Sequence, residues 1–163
     1  MKKVTIHTDG GCSGNPGPGG YGAVLQYGNN RKEISEGYKL TTNNRMEMLA
    51  CIKALEILKY PCEVSLFSDS KYVINGIEKG WAKKWEANNW KRNKNEMAKN
   101  PDLWSRLLRL CESHNVTFTW VKGHAGNKEN ERCDELTNIV RASENLQIDE
   151  GYNNQINSGL EHV

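Results

Sequence analysis

Two segments of the sequence read as buried strands that end in an aspartate, and this pattern constrains the fold most. Residues 64–67 form a largely apolar run that leads into Ser68-Asp69-Ser70, and residues 4–8 alternate apolar and polar side chains before Asp9. In open α/β sheets, ligands bind in a crevice outside the carboxyl ends of the strands. If the two strands are neighbours, Asp9 and Asp69 emerge at one edge of the sheet and form a candidate metal site.

The remaining segments predict an α/β arrangement. Strands are expected at about residues 4–8, 23–27, 32–40, 63–68 and 116–121, and the short connections between the first three favour an antiparallel meander. A long helix, expected over residues 45–59, precedes the fourth strand, which can therefore return parallel to the first by a right-handed crossover. Further helices are expected over residues 71–79, 102–113 and 128–142.

Length and composition indicate the class of protein. The 163 residues contain no apolar run of the roughly 18 residues that span a bilayer, and no signal-peptide segment follows Met1. We therefore expect a cytoplasmic monomer with one folded domain over residues 1–143. The five cysteines are an odd number and form no C-x-x-C pair, which favours reduced thiols. Residues 144–163 are polar and rich in Asn, so a poorly ordered tail is expected.

Positive charge is concentrated in one segment, residues 79–99. This segment holds seven basic and two acidic side chains, although the whole chain carries a net charge of only +2. Trp81, Trp85 and Trp90 are interleaved with the basic residues. A local positive surface on an otherwise mildly acidic chain points to a polyanionic partner, and aromatic rings beside Lys and Arg suit a nucleic-acid groove.

Two further acidic residues extend the candidate metal site. Glu47 is expected in the first turn of the long helix, at the same end of the sheet as Asp9 and Asp69, and Asp134 lies within the last predicted helix. Taken singly, Glu47 is also explained by the helix dipole, and Asp134 by a solvated helix face. Together, four carboxylates suit Mg²⁺, which prefers oxygen ligands. Two such ions roughly 4 Å apart can promote phosphodiester hydrolysis.

Six short strings add a resemblance to a known family. They are Thr8-Asp9-Gly10, Gly14-Asn15-Pro16-Gly17-Pro18-Gly19-Gly20-Tyr21-Gly22, Thr42-Asn43-Asn44-Arg45-Met46-Glu47, Asp69-Ser70, Trp120-Val121-Lys122-Gly123-His124 and Asn130-Glu131-Arg132-Cys133-Asp134. In order and spacing they resemble type 1 ribonuclease H, closely in its bacterial ribonuclease HI form, over about residues 3–142. The resemblance implies a ribonuclease H-like α/β fold. Its five-stranded mixed sheet has three antiparallel strands plus two parallel ones, flanked by helices, and a basic protrusion lies at about residues 80–100.

The same resemblance implies an activity and roles for individual residues. It implies an endonuclease that hydrolyses the RNA strand of RNA–DNA hybrids and leaves 5′-phosphate and 3′-hydroxyl ends. The implied cofactor is Mg²⁺, with two ions during catalysis and Mn²⁺ as an alternative cation. By position, the metal ligands are Asp9, Glu47, Asp69 and Asp134, with Asp9 bridging both ions. His124 matches the family's loop histidine, expected to assist proton transfer or product departure.

The resemblance also implies contacts with the hybrid duplex. Only RNA offers a 2′-hydroxyl in the minor groove, and the residues at the matching positions are Cys12, Asn15, Asn43 and Asn44. The DNA strand is expected to meet Trp81, Lys83, Lys84 and Trp85. Lys71 stands where bacterial relatives commonly carry Gln, and its longer cationic side chain favours a phosphate contact.

Two other classes of protein share parts of this pattern. Transposase and integrase catalytic cores use similar acids on the same kind of sheet, but the glycine-rich string and Thr-Asn-Asn-Arg-Met-Glu argue against them. A non-catalytic hybrid-binding module would arise if a catalytic acid were lost. All four acids are present in this chain, which argues against a binding module.

Overall fold

A computed structural model describes the backbone of residues 1–161 and the side-chain environments of residues 1–157. The elements follow the chain in the order β1 (Lys2–Cys12), β2 (Gly17–Tyr27), β3 (Asn30–Thr41), α1 (Asn43–Glu56), β4 (Cys62–Ser68), α2 (Lys71–Glu78), α3 (Trp81–Ala87), α4 (Pro101–Ser113), β5 (Asn115–Trp120), α5 (Lys128–Arg141) and α6 (Glu150–Glu161). Among the described residues, no helix is both long and apolar enough to cross a bilayer.

The five strands form one mixed sheet in the order β3-β2-β1-β4-β5. The β1–β2 and β2–β3 pairs are antiparallel, and the β1–β4 and β4–β5 pairs are parallel. The predicted set of three antiparallel strands plus two parallel ones is therefore confirmed. Because α1 connects β3 to β4, it provides the crossover that makes β4 run parallel to β1.

Helix α1 occupies the centre of the protein. It starts at Thr42, whose side-chain oxygen accepts a hydrogen bond from the Arg45 backbone N–H at 3.2 Å, and it ends four residues before Pro61 at Ile57. Side chains on every side of the helix are buried, Met46, Met48 and Ile52 among them. A helix that is buried all round lies between two layers, and α1 packs against the sheet on one side and against α4 on the other.

Glycines on β2 allow helix α5 to lie directly on the opposite face of the sheet. A Cβ atom at Gly22 would stand 2.7 Å from the Cβ of Leu136, and one at Gly20 would stand 2.6 Å from a methyl carbon of Val140. Any larger residue would push the helix away from the sheet. This close contact sets the distance between α5 and the sheet, and therefore the position of the α5 side chains relative to the carboxyl end of β1.

The predicted basic protrusion contains a short helix that the sequence pattern does not reveal. Gly80 adopts a left-handed conformation (φ 73°) between α2 and α3, after which α3 and an irregular segment lead to α4. Trp85 lies edge-on to the buried Trp104, with 6.1 Å between ring centroids, and the half-buried Trp90 packs against the core. These tryptophans attach the protrusion to the body of the protein.

The segment after α5 is structured, so the predicted poorly ordered tail is wrong for the described residues. Gln147 pairs with edge strand β3, donating its backbone N–H to Gly37 O and accepting the Lys39 N–H, both at 2.8 Å. The buried Asp149 then accepts a 2.8 Å hydrogen bond from Nε of the equally buried Arg45. Low apolar content suggested disorder, whereas backbone pairing and a buried ion pair hold this segment in place.

Candidate active site

Asp9 and Asp69 meet because β1 and β4 run in parallel register. The last paired residues of the two strands are His7 and Phe67, and the same register continued by two residues places Asp9 opposite Asp69. The sequence pattern ends the first strand at Thr8, just before Asp9, but β1 extends to Cys12 because it still pairs with β2 there. Asp9 therefore lies within a strand, beyond the point where β4 ends.

A glycine brings Glu47 to the same place. A Cβ atom at Gly10 would stand 2.4 Å from the carbonyl carbon of Met46 and 2.5 Å from the Glu47 nitrogen, so the α1 backbone rests directly on β1. Because α1 begins at Asn43, Glu47 is its fifth residue rather than part of the predicted first turn. One carboxylate oxygen from each of Asp9, Glu47 and Asp69 lies within 4.8 Å of the others.

The electrostatics of this cluster favour a bound cation. Burial, reinforced by the charges of Asp69 and Asp134, raises the pKa of Asp9 to about 7. Burial and the charges of Asp9 and Asp69 raise the pKa of Glu47 well above its usual range. Within the described residues, Oε1 of Glu47 is buried without a hydrogen-bond partner. An unpartnered buried oxygen among carboxylates is costly, and a hard divalent cation with oxygen ligands fits this set.

Helix α5 contributes the fourth predicted carboxylate. The side chain of Asn127 caps this helix by accepting the Asn130 backbone N–H at 2.9 Å. Asn130 and Asp134, one turn apart, both line a small cleft together with Asp9 and Asp69. The charge of Asp134 helps to raise the pKa of Asp9. The buried Asn130 was not predicted as a site residue, although its spacing of four from Asp134 indicates a shared helix face.

The loop between β5 and α5 brings His124 to the cleft. His124 is exposed, adopts a left-handed conformation (φ 57°) and lines the cleft beside Asp69. Gly126 also has a positive φ, of 85°. A Cβ atom at Gly123 would stand 2.7 Å from Oδ2 of Asp69. The loop backbone therefore lies against one carboxylate of the cluster and carries the histidine beside it.

Three of the residues predicted to contact the hybrid form one connected group. The Cys12 backbone N–H donates to Oδ1 of Asn43 at 2.7 Å, and the Asn43 backbone N–H donates to Oδ1 of Asn15 at 3.1 Å. Arg141 donates from Nη1 to the Cys12 carbonyl at 3.3 Å. These bonds tie the end of β1, the glycine-rich turn and the start of α1 together beside the carboxylates.

The other predicted contact residues lie on the protrusion side. Asn44 lines one groove with Trp81 and Trp85, and the residues Tyr72, Arg92, Ala98 and Lys99 complete its walls. Lys83 and Lys84 are exposed on α3. Apart from Lys71, the predicted contacts therefore fall into two groups that meet at Asn43 and Asn44, the first two residues of α1.

Lys71 makes an unexpected intramolecular contact. Its Nζ lies 5.1 Å from the ring centroid of Trp120, the last residue of β5. The same tryptophan donates its indole N–H to the backbone carbonyl of Asp69 at 3.1 Å. In this structure the ammonium group of Lys71 is therefore directed over an aromatic ring next to the carboxylate cluster.

Comparison with known proteins agrees with this geometry. The RNase H family model matches residues 1–141. The chain is 63% identical over 152 residues to Ribonuclease H of Syntrophus aciditrophicus, covering 93% of this chain and 88% of that protein. It is 59% identical over 150 residues to Ribonuclease HI of Synechocystis sp., covering 91% of this chain and 94% of that protein.

A solved structure shares the fold at lower identity. The crystal structure of LC9-RNase H1, described as a type 1 RNase H with the type 2 active-site motif, superposes with a TM-score of 0.78 at 28% identity. The superposition covers 87% of this chain and 73% of that chain. The family match contains all five strands and the four carboxylates, and the chain is about 60% identical to both relatives over most of their length. The chain belongs to the RNase H family.

Proposed function

We propose that this protein is an endonuclease that hydrolyses the RNA strand of RNA–DNA hybrids and leaves 5′-phosphate and 3′-hydroxyl ends. The carboxylate cluster carries the proposal. Asp9, Glu47 and Asp69 offer oxygens within 4.8 Å of one another, in a chain whose relatives are named Ribonuclease H. Without a cation, such a cluster repels a polyanion, so its chemistry depends on a bound metal.

We propose Mg²⁺ as the cofactor, with two ions during catalysis and Mn²⁺ as an alternative. Asp9, Glu47, Asp69 and Asp134 would hold the ions, and Asp9 is the carboxylate that both groups share, since it lies within 4.8 Å of Glu47 and Asp69 and lines the cleft with Asp134. When bound, two such ions activate the attacking water and stabilise the leaving oxygen of a phosphodiester. The protein's own contribution is to hold the four carboxylates at one edge of a rigid sheet.

We propose that His124 takes part in proton transfer or in product departure. Its ring lines the cleft beside Asp69 and Asp134 without being buried. Imidazoles exchange protons readily near neutral pH, and a loop that contains glycines can move between positions. Both properties suit a group that acts at the edge of a carboxylate cluster rather than inside it.

We propose that the two groups of contact residues read the two strands of the hybrid. Cys12, Asn15 and Asn43 surround the end of β1 with amide groups, which can bond a 2′-hydroxyl that only RNA carries. On the other side, the groove beside Asn44 offers exposed indole surface at Trp81 and positive charge, and we assign it to the DNA strand. Arg92 and Lys99 supply that charge.

The monomeric state and the cytoplasmic location stay predictions.

A panel of labelled duplexes tests the proposed activity. In Mg²⁺, the protein should cut the RNA strand of an RNA–DNA hybrid and leave RNA–RNA and DNA–DNA duplexes intact. A polymerase should extend the products, because they end in a 3′-hydroxyl. Chelation of the metal by EDTA should stop cleavage. Joining of DNA ends would indicate a strand-transfer enzyme instead, and tight hybrid binding without cleavage would indicate a binding module.

The basic protrusion makes a separate prediction about binding. Replacing Lys83, Lys84, Lys91 and Arg92 with Ala should weaken hybrid binding and reduce its salt dependence. The slope of log K against log salt concentration should become shallower by about 1–3, since each lost phosphate contact removes roughly 0.9 for duplex DNA. Fluorescence anisotropy of a labelled hybrid at several salt concentrations measures both quantities.

A charge-matched variant controls for the overall loss of positive charge. Four exposed lysines at the opposite end of the sheet, replaced together by Ala, change the net charge by the same amount: Lys2, Lys3, Lys32 and Lys59. Their variant should keep most of the wild-type slope. Equal slopes for the protrusion variant and the wild type would show that the protrusion does not contact phosphate.

A further inference from the structure

The partly exposed side chain of Trp120 contacts the backbone of Asp69. Its indole N–H donates to the Asp69 carbonyl at 3.1 Å, while 43% of the residue is exposed and the Lys71 ammonium stands 5.1 Å from the ring centroid. Trp120 was singled out in the sequence only as part of a family string. Asp69 is a proposed metal ligand and Lys71 is expected from the sequence to contact phosphate, but neither role explains the tryptophan between them.

Asp69 lies where regular backbone pairing stops, so a contact at its carbonyl can affect the position of its carboxylate. The strand pattern ends with the 2.9 Å bond from the Val121 N–H to the Ser68 carbonyl. Helix α2 begins after Ser70, whose side chain accepts the Val73 N–H at 3.3 Å. Asp69 connects the two elements, and a rotation of its backbone would move its carboxylate relative to Asp9. The indole N–H restrains that rotation at the carbonyl oxygen.

We propose that Trp120 is a positioning residue that sets the Asp69 carboxylate for metal binding, and that Lys71 holds the indole ring in place. The inference rests on the proposed function. A cation over an exposed aromatic ring favours one orientation of the ring by about two- to fivefold. This gives Lys71 a role next to the catalytic cluster that differs from a direct phosphate contact.

Two substitutions separate the parts of this arrangement. Trp120→Phe keeps an aromatic ring but removes the N–H. It should lower kcat about tenfold while KM for the hybrid stays within twofold. Groups that position a metal ligand typically contribute about 10–100-fold to metal affinity or activity. Isothermal titration of the substrate-free protein should show about tenfold weaker Mg²⁺ binding. Lys71→Met leaves the N–H in place and should give a smaller change, about threefold, in the same direction.

Trp81 provides a matched control for the metal titration. It is 39% exposed and has the Lys79 ammonium 5.3 Å from its ring centroid, but it lies on the protrusion. Trp81→Phe should therefore leave Mg²⁺ affinity unchanged. Wild-type Mg²⁺ affinity in Trp120→Phe would overturn the inference, as would a rise in KM with unchanged kcat. If the wild type fails to cut hybrids, the proposed function fails, and the Mg²⁺ titration still decides the role of Trp120.

Discussion

Asp69→Asn should reduce kcat for hybrid cleavage at least a thousandfold while the affinity for the hybrid stays close to that of the wild type. The amide keeps the size of the side chain but removes its charge, in a cluster where three carboxylates approach within 4.8 Å. A thousandfold loss corresponds to about 4 kcal/mol of transition-state stabilisation, the scale expected when a metal clamp on phosphate loses a ligand. Single-turnover cleavage of a labelled hybrid measures the rate, and anisotropy in Ca²⁺ measures binding.

An acid outside the cluster provides the control for this variant. Glu135 is exposed on α5, next to Asp134, and forms an ion pair with Arg132 at 3.1 Å. Glu135→Gln makes the same change of charge and should keep kcat within about twofold, because surface ion pairs contribute little. Undiminished cleavage by Asp69→Asn would exclude the proposed site. An equal loss in both variants would point to a general charge effect instead.

The metal-free protein should lose stability as the pH rises from about 4 to about 7. The pKa of Asp9 is raised to about 7 by burial and by the charges of Asp69 and Asp134. Between these pH values the folded state holds a proton that the unfolded chain has already released. The free energy of unfolding is therefore higher at the acidic end of this window and falls as Asp9 ionises. For a shift of this size, the free energy of unfolding should fall by about 2–4 kcal/mol. Glu47, with its raised pKa, acts in the same direction.

Chemical denaturation in EDTA at several pH values measures this effect. Asp9→Asn should flatten the decline, and saturating Mg²⁺ should suppress it because the cation stabilises the ionised carboxylates. Below about pH 4 the trend should reverse, since hydrogen bonds from Arg132 and Arg31 lower the pKa of Glu33, whose contribution is lost as it becomes protonated. A free energy of unfolding that stays constant or rises between pH 4 and 7 without metal would contradict the coupling within the cluster.

The sheet and half of the site could be predicted from sequence because their signals are local. Alternating apolar residues define a strand, and a helix between two strands fixes their relative direction, which together place Asp9 and Asp69 at one edge. The position of Asp134 depends instead on how closely α5 approaches the sheet. That approach is set by small residues such as Gly22 on β2, and periodicity within α5 contains no information about it.

Long-range polar contacts explain why the predicted poorly ordered tail is wrong for the described residues. Composition alone predicts that the Asn-rich C-terminal segment is a tail, and it gives no indication that Arg45 is buried. In the structure, Arg45 is 1% exposed and pairs with both Asp102 and Asp149, and Asp149 also accepts a hydrogen bond from Thr41. The residues around Arg45 in the sequence predict neither its burial nor its two acidic partners, because those partners come from distant parts of the chain.

The pairing of Arg45 with Asp149 has a consequence for the order in which the protein is made. The two residues are 104 positions apart, so a ribosome finishes α1 long before it adds the second partner of the guanidinium. A nascent chain, or one shortened by a stop codon, that ends between Asp134 and Asp149 already carries all four carboxylates. Its buried arginine has Asp102 as an acidic partner but not Asp149, and removing one member of a buried ion pair costs about 3–5 kcal/mol. The second ion pair of Arg45 therefore forms only after Asp149 has left the exit tunnel.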